Sequence, residues 1–225
     1  MPAIDAIAAL LAAGDLAAFQ GIKEDQWFDA KQPPGYDLTF PAGRFELAKD
    51  VSSFANADGG HIIVGLTTAV VPEEQTEQVN GLALMPAAAF NVGSIQGVLN
   101  EYLYPRVQGL SVTWVEHVGS AGQGVGVIFI PPMPHDQRFV LMKKVDATST
   151  QIVFGVAVRR GSNSIPYKVE QLHAMCQDGR SSVAERLARI EAKLDSHLRA
   201  TEAVEDQAAF ADEVQGRVQR MLADD

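Results

Sequence analysis

The chain has 225 residues, of which 47% are hydrophobic and 20% charged, and it carries a net charge of −10 at pH 7. This composition is typical of a folded globular protein, and the length accommodates one α/β domain with an appendage. The acidic balance argues against a strong non-specific polyanion binder, because phosphate contacts need clustered lysine and arginine. The single cysteine, Cys176, excludes an internal disulfide and a cysteine-based zinc site.

The N-terminal segment, residues 1–19, is apolar but contains Asp5 and Asp15, and no lysine or arginine precedes Lys23. It therefore lacks the basic region that opens a secretory signal. No apolar run approaches the roughly 18 to 20 residues of a membrane span. The sequence predicts a cytoplasmic protein without a membrane partner.

The first half of the chain predicts helices and strands in alternation. Residues 3–19 have helical spacing, with Gly14 as a break, and residues 27–31 are typical of a strand that ends at Gln32-Pro-Pro-Gly35. Residues 44–55 predict a helix and residues 61–64 a buried strand. Residues 72–79 are acidic and predict a loop or a short helix.

The second half predicts a helix over residues 91–103 and then mainly strands. The strand segments are 110–117, 125–130, 139–144 and 151–159, and a helix is expected over 167–177. The fold class is therefore α/β, with a mixed β-sheet flanked by helices.

From Ser181 the pattern changes to a short amphipathic stripe of Val183, Leu187, Ile190, Leu194 and Leu198. We divide the chain into a domain over residues 1–179 and a helical tail over 180–225. So few core positions rarely stabilise a helix alone. We expect the tail to be an oligomerisation or docking element that makes a homo-oligomer through residues 181–222. The alternative is that it folds back on its own domain.

The most informative motif is Phe54-Ala-Asn-Ala-Asp-Gly-Gly60 followed by Ile62-Ile-Val-Gly-Leu66, with Glu24…Asp29-Ala-Lys31 upstream. Gly59 and Gly60 permit a tight helix-to-strand reversal. Together these residues resemble the Schlafen AlbA domain family over roughly residues 20–178. Later features also resemble it: Val125–Pro134, and Val156-Ala-Val-Arg-Arg-Gly-Ser-Asn-Ser164.

The resemblance implies a Schlafen AlbA-like fold that binds nucleic acid, RNA or DNA, and in some members a metal-dependent endoribonuclease with three acids. The first two acids match Glu24 and Asp29, which would hold Mg²⁺ or Mn²⁺, while Lys31 would neutralise a phosphate. The third acid is expected where this chain has Thr67 and Thr68. The acidic triad is therefore incomplete, and weak or absent nuclease activity is the expectation; Asp58 is a candidate substitute.

Other residues receive roles from their position along the chain. Arg159 and Arg160, at a strand end, and the pair Lys143 and Lys144 are the candidates for contacting a nucleic-acid backbone. By strand alternation, the two arginines should point to opposite sides. Asn56, with the glycine pair described above, is expected to be structural and to cap or brace the turn.

Two alternative functions remain open from the residues. The Gly119–Gly124 segment lacks the lysine of a phosphate-binding loop, so no ATP site is evident there. A nucleotide-binding regulator would have to use the Gly59-Gly60 turn. The stronger alternative is a non-catalytic oligomeric scaffold or regulatory protein that acts through protein partners, which the net charge and the missing third acid favour.

Overall fold

The computed structural model describes residues 4–174, apart from 75, 135–138, 146–151 and 169, together with residues 185, 187–188 and 190–193. Its chain divides into two units, Met1–Val169 and Glu170–Asp225. The predicted boundary at residue 179 and most of the amphipathic stripe lie outside the described residues. In the second unit, residues 170–174 and the described positions between 185 and 193 are helical.

The first unit contains three α-helices and twelve strands among its described residues. The helices are α1 (Ile4–Ala13), α2 (Pro41–Ala55) and α3 (Val92–Tyr102), with 3₁₀ turns at Leu16–Phe19 and Ala87–Ala89. The strands are β1 (Phe28–Lys31), β2 (Gly60–Val64), β3 (Leu66–Val71), β4 (Thr76–Leu82), β5 (Met85–Pro86), β6 (Leu103–Tyr104), β7 (Ser111–Glu116), β8 (Gln123–Ile130), β9 (Leu141–Val145), β10 (Ile152–Gly155), β11 (Ala157–Arg160) and β12 (Asn163–Pro166).

The central sheet is mixed. β1 pairs with β2 in parallel, and β2, β8 and β7 continue it in antiparallel order, while the short β5 pairs with the start of β8. β1 is an edge strand of this sheet. Three smaller assemblies accompany it: the β3–β4 hairpin, the β11–β12 hairpin, and a sheet in the order β10-β9-β6. The predicted fold class, a mixed sheet flanked by helices, is confirmed.

Two hydrophobic cores cover the two faces of the central sheet. Alternation along β2 sends Ile62 and Val64 to the core shared with α2 and α3, and sends Ile63 to the core of α1, β1 and β4. Burial on both faces explains why β2 is apolar apart from His61, with burial at all five positions. This central strand positions β1 beside it and therefore positions the candidate site.

Two sequence expectations about elements were wrong. Residues 72–79 form a turn and most of β4, which pairs with β3 from Leu66↔Leu82 to Val71↔Thr76. The apolar, β-branched run after Gly65 is the strand that pairs with it. The single strand expected over residues 151–159 is interrupted at Val156, so β10 and β11 belong to different sheets. No helix among the described residues is long and apolar enough to cross a membrane.

Candidate functional site

The alternation of side chains along β1 places two charged residues on one face of the sheet. Phe28 and Ala30 contribute to the core on the α1 side. Asp29 and Lys31 therefore point to the opposite face, where α2 packs. α2 adds the carboxylate of Asp50, which is 6% exposed.

A turn between the two predicted acids brings Glu24 back to β1. The Trp27 N–H donates to Asp25 Oδ1 at 2.8 Å, which reverses the chain immediately before the strand. As a result, Glu24 Oε1 accepts a hydrogen bond of 2.9 Å from the Ala30 N–H. Because of this bend, an odd spacing of five residues still brings Glu24 close enough to Asp29 for the two carboxyl groups to interact.

Two cations neutralise Asp29. Lys31 Nζ lies 2.7 Å from Asp29 Oδ2 and 3.6 Å from Asp50 Oδ2, and the lysine side chain is 30% exposed. Arg159 Nη2 donates to Asp29 Oδ1 at 3.1 Å. The Lys31 contact with Asp29 is a close ion pair. We call Glu24, Asp29, Lys31, Asp50 and Arg159 the charge cluster.

Burial and like charges shift the protonation of Glu24. Desolvation first, and the neighbouring Asp29 carboxylate second, raise the pKa of Glu24 to about 7, against the lowering effects of the Ala30 N–H and of Lys31. Burial would lower the pKa of Lys31, but Asp29 and Asp50 outweigh it and raise that pKa. Lys31 therefore stays charged at neutral pH, whereas Glu24 exchanges its proton there.

Asp50 and its partners were missed from the sequence. Tyr36 Oη donates to Asp50 Oδ2 at 2.9 Å, and Ser164 Oγ donates to Asp50 Oδ1 at 3.1 Å. Burial, followed by the Asp50 charge, raises the pKa of Tyr36 well above its ordinary value. A signal was present: Asp50 lies three residues after Leu47 and four before Phe54, on the apolar face of α2. A carboxylate on a buried helix face requires partners.

The expected third acidic position remains without an acid, as the sequence indicates. Thr67 Oγ1 donates to Asn80 Oδ1 at 2.7 Å, and Thr68 Oγ1 donates to Glu77. Glu77 is near enough to contribute to the raised pKa of Glu24, although less than the other causes. Asp58, the candidate substitute, is exposed on the turn after α2.

The charge cluster does not fit a divalent ion in this arrangement. Among the described residues, no group of three acidic, histidine or cysteine side chains converges as a metal site. An ion on Asp29 would also have to displace Lys31 from Oδ2, where the ammonium already supplies the positive charge. We therefore derive no chemical step through a metal. Mg²⁺ or Mn²⁺ binding by Glu24 and Asp29 stays a prediction.

The basic residues proposed to contact nucleic acid lie in different surroundings. Arg159 is 5% exposed; its guanidinium donates to the carbonyls of Asp25 and Phe28 and lies 4.6 Å above the Phe54 ring. Its hydrogen bonds in this arrangement are internal, because its strand position points it at α2. Arg160, the next residue, is exposed.

The lysine pair lies on β9, outside the central sheet. Lys143 is half-buried and pairs in register with Phe154, and Lys144 pairs with Val153. No contact connects Lys143 with the charge cluster in the described part of the chain. A role for these lysines in nucleic-acid binding stays a prediction.

The turn after α2 serves packing in this structure. Asn56 is buried; its amide donates to the carbonyls of Val140 and Ala157 at 3.0 and 2.9 Å, and its Oδ1 accepts from the Val140 N–H at 2.8 Å. It therefore joins α2 to the starts of β9 and β11, instead of capping the glycine turn. At Gly59, φ is +73° and an added Cβ would lie 2.6 Å from the Ile130 carbonyl oxygen.

The backbone N–H groups of the Gly59-Gly60 turn are poorly placed to bind an anion. The Gly59 N–H donates to the Phe54 carbonyl at 3.0 Å, so it is used within the turn. Gly60 opens β2, where it pairs with Ile130.

The fold and the charge cluster together define a mixed α/β protein with a buried, internally neutralised group of acids and bases. No family model matches this chain. No curated protein matches it either. A solved structure that is similar is the N-terminal domain, determined by solution NMR, of a Nitrosomonas europaea protein described as related to the ATP-dependent DNA helicase RecG. The two are 19% identical with a TM-score of 0.38 over 68% of this chain and 86% of the other.

Proposed function

We propose that this chain is a nucleic-acid-binding protein of the Schlafen AlbA type, which contacts phosphate through Lys31. The observation that carries the proposal is the setting of the Lys31 ammonium. Two buried carboxylates, Asp29 and Asp50, hold it at one end, while the side chain remains 30% exposed. A cation positioned in this way gives up little side-chain freedom when it meets a phosphate oxygen.

Neighbouring residues add to this surface. Lys49 immediately precedes Asp50 on α2; its Nζ lies 3.9 Å from Asp50 Oδ1, and its side chain is 26% exposed. Because the acids of the charge cluster are already paired, a phosphate would meet Lys31 and Lys49 with part of their charge compensated. We therefore expect weak binding, with a dissociation constant on the order of 10⁻⁴ to 10⁻⁶ M at physiological salt, and a shallow salt dependence.

The binding experiment measures anisotropy of labelled transfer RNA and of duplex DNA at two salt concentrations. Lys31→Met should weaken binding, and Lys23→Ala is the matched control, because Lys23 is an exposed lysine paired with Glu74 outside the cluster. Thermal unfolding of each variant reports whether Lys31→Met still folds when Asp29 and Asp50 each lose one cationic partner. Lys49→Met tests the same surface with less risk to the fold, because the closest partner of Lys49 is the exposed Glu46. Equal affinity in the wild type, Lys31→Met and Lys49→Met would disprove the assignment.

The proposed residual endoribonuclease activity rests on the resemblance and on Glu24 and Asp29 lying together. Incubation of transfer RNA with the protein and Mg²⁺ or Mn²⁺ tests it, with a chelator in a parallel reaction. Glu24→Gln is the control, since it keeps an oxygen that can accept from the Ala30 N–H. Cleavage that persists in Glu24→Gln would remove Glu24 from the active site.

The second candidate is a non-catalytic oligomeric scaffold or regulatory protein. The observation that favours it is the internal neutralisation of the charge cluster. Lys31 and Arg159 already compensate the charge of Asp29 without a bound ligand. Undetectable binding of both RNA and DNA by the wild type at physiological salt would favour the scaffold over the nucleic-acid-binding function.

A further inference from the structure

A cavity of about 530 Å³ lies beside the charge cluster, between the β1–α2 loop, the end of β2 and the start of α3. Its floor consists of buried apolar side chains: Val64, Phe90, Ile95 and Val98. Tyr36 forms part of its wall. The volume falls in the range of about 300–1,000 Å³ that small-molecule sites occupy.

The rim of the cavity carries one charged side chain and two uncharged polar side chains. Arg44 lies there with its Nε donating to the Leu38 carbonyl at 2.7 Å, and a guanidinium has further N–H donors in a planar arrangement. Asn91 caps α3, with Oδ1 accepting from the Ser94 N–H at 2.9 Å, so its amide N–H₂ remains as a donor at the rim. Thr39 adds a hydroxyl.

Tyr36 connects this cavity to the charge cluster. Its hydroxyl donates to Asp50 Oδ2, and Lys31 Nζ lies 3.6 Å from the same oxygen. A ligand with an apolar, planar part in the cavity would thus have its charged part near Lys31. A nucleotide combines these features: a flat ring with hydrogen-bonding edges, joined to a phosphate.

One wall of the cavity includes a close backbone approach. At Gly43, in the first turn of α2, an added Cβ would collide with the carbonyl oxygen of Asp37 in the β1–α2 loop. The loop can therefore lie against α2 only because residue 43 is glycine. This contact fixes the wall that includes Tyr36 and Leu38.

We infer that this cavity binds one unpaired nucleobase of a single-stranded nucleic acid whose phosphate lies at Lys31. The inference rests on the proposed function and specifies its ligand: unpaired strands, whose bases are free to leave the stack, over duplexes. The base would lie on the apolar floor against the Tyr36 ring, with Arg44 and Asn91 at its hydrogen-bonding edge. Base stacking on aromatic side chains tolerates any of the common bases, so we expect little sequence preference.

The first test compares a short single-stranded RNA with a duplex of the same length by anisotropy. Ser94→Trp places an indole at the cavity, and Gln96→Trp is the matched control on the same helix, outside the cavity lining. Ser94→Trp should weaken single-strand binding about tenfold, the loss expected for one stacked base, and leave duplex binding unchanged. Equal single-strand affinity for the wild type and Ser94→Trp would overturn the inference.

The second test uses adenosine, which has no phosphate, and separates the cavity from the phosphate site. Adenosine at millimolar concentration should raise the Tm of the wild type and of Lys49→Met, and leave that of Ser94→Trp unchanged. If oligonucleotide binding is absent but this Tm shift is present, the proposed function fails and the cavity assignment stands. In another outcome, oligonucleotides bind and their affinity depends on Lys31, but adenosine does not raise the Tm and Ser94→Trp does not change single-strand affinity. In that case only the cavity assignment fails.

Discussion

Glu24 is buried at a position where two neighbouring carboxylates oppose its ionisation. Because its pKa is raised from 4.5 to about 7, the folded chain keeps a proton there that the unfolded chain has already released. This contribution to stability is fully present below about pH 4.5 and is lost as the pH rises through about 7.

We predict that the wild type loses stability relative to Glu24→Gln as the pH rises from about 5 to 8, by about 3 kcal/mol at most. Glutamine preserves the shape and an acceptor for Ala30 but does not titrate. Urea unfolding of both proteins across this pH range measures the difference, in which the other titrating groups cancel. Parallel stability profiles would show that Glu24 titrates normally.

Asn56 makes a second prediction at the residue scale. Asn56→Ala leaves the Val140 N–H and the Val140 and Ala157 carbonyls without their buried partner. We expect a loss of about 3 kcal/mol or more in the free energy of unfolding. Asn91→Ala, which removes only the α3 cap, should cost about 1 kcal/mol in the same denaturant titration. Similar losses in the two variants would contradict the bracing role.

The sequence indicated part of the candidate site. Glu24, Asp29 and Lys31 were expected together, and the turn before β1 brings them together. Spacing along α2 places Asp50 on the buried face, but its contacts with Lys31 and Tyr36 depend on where α2 and the β1–α2 loop lie on the sheet, which spacing does not reveal. The burial of Arg159 was missed for the same reason: alternation separated it from Arg160 but gave no indication of which side was covered.

The helices offer a matched pair of glycines. Gly97 lies in α3 with nothing within 4 Å of an added Cβ, whereas Gly43 lies in α2 against the Asp37 carbonyl. Gly97→Ala should raise stability by about 0.5–1 kcal/mol through helix propensity. Gly43→Ala should lower it, because the loop must move, despite the same gain in propensity. Chemical denaturation measures both, and a stabilised Gly43→Ala would show that the loop yields freely.

Among the elements, α2 and α3 were predicted from helical spacing, and β2 and β8 from continuous apolar runs that are buried on both faces. The β3–β4 hairpin was not predicted. The acidic residues in its turn and in β4 suggested a loop, although β4 pairs with the apolar strand β3. The division of β10 from β11 also escaped prediction; Gly155, at the end of β10, is the local signal of a break in an otherwise apolar run.

For the whole molecule, the predicted oligomerisation through the tail stays a prediction. Leu187 and Ile190 are 55% and 59% exposed, so contact with a second copy would bury apolar surface. Replacing both with glutamate should lower the mass measured by light scattering to that of a monomer, whereas Ala188→Glu, off the stripe, should not. A monomeric wild type, or an assembly indifferent to the double substitution, would contradict the oligomerisation role.

The outer edge of β1 gives the charge cluster a further consequence. Its Ala30 N–H is occupied by Glu24, and its Phe28 carbonyl by Arg159. A strand from another molecule can add to an edge whose backbone N–H and C=O groups are free. By binding these groups, the two side chains hinder self-assembly into extended sheets. Glu24→Ala would free the Ala30 N–H at this edge and also remove any catalytic role of Glu24. Its effects must therefore be read beside a measurement of aggregation, and glutamine is the substitution that keeps the edge closed.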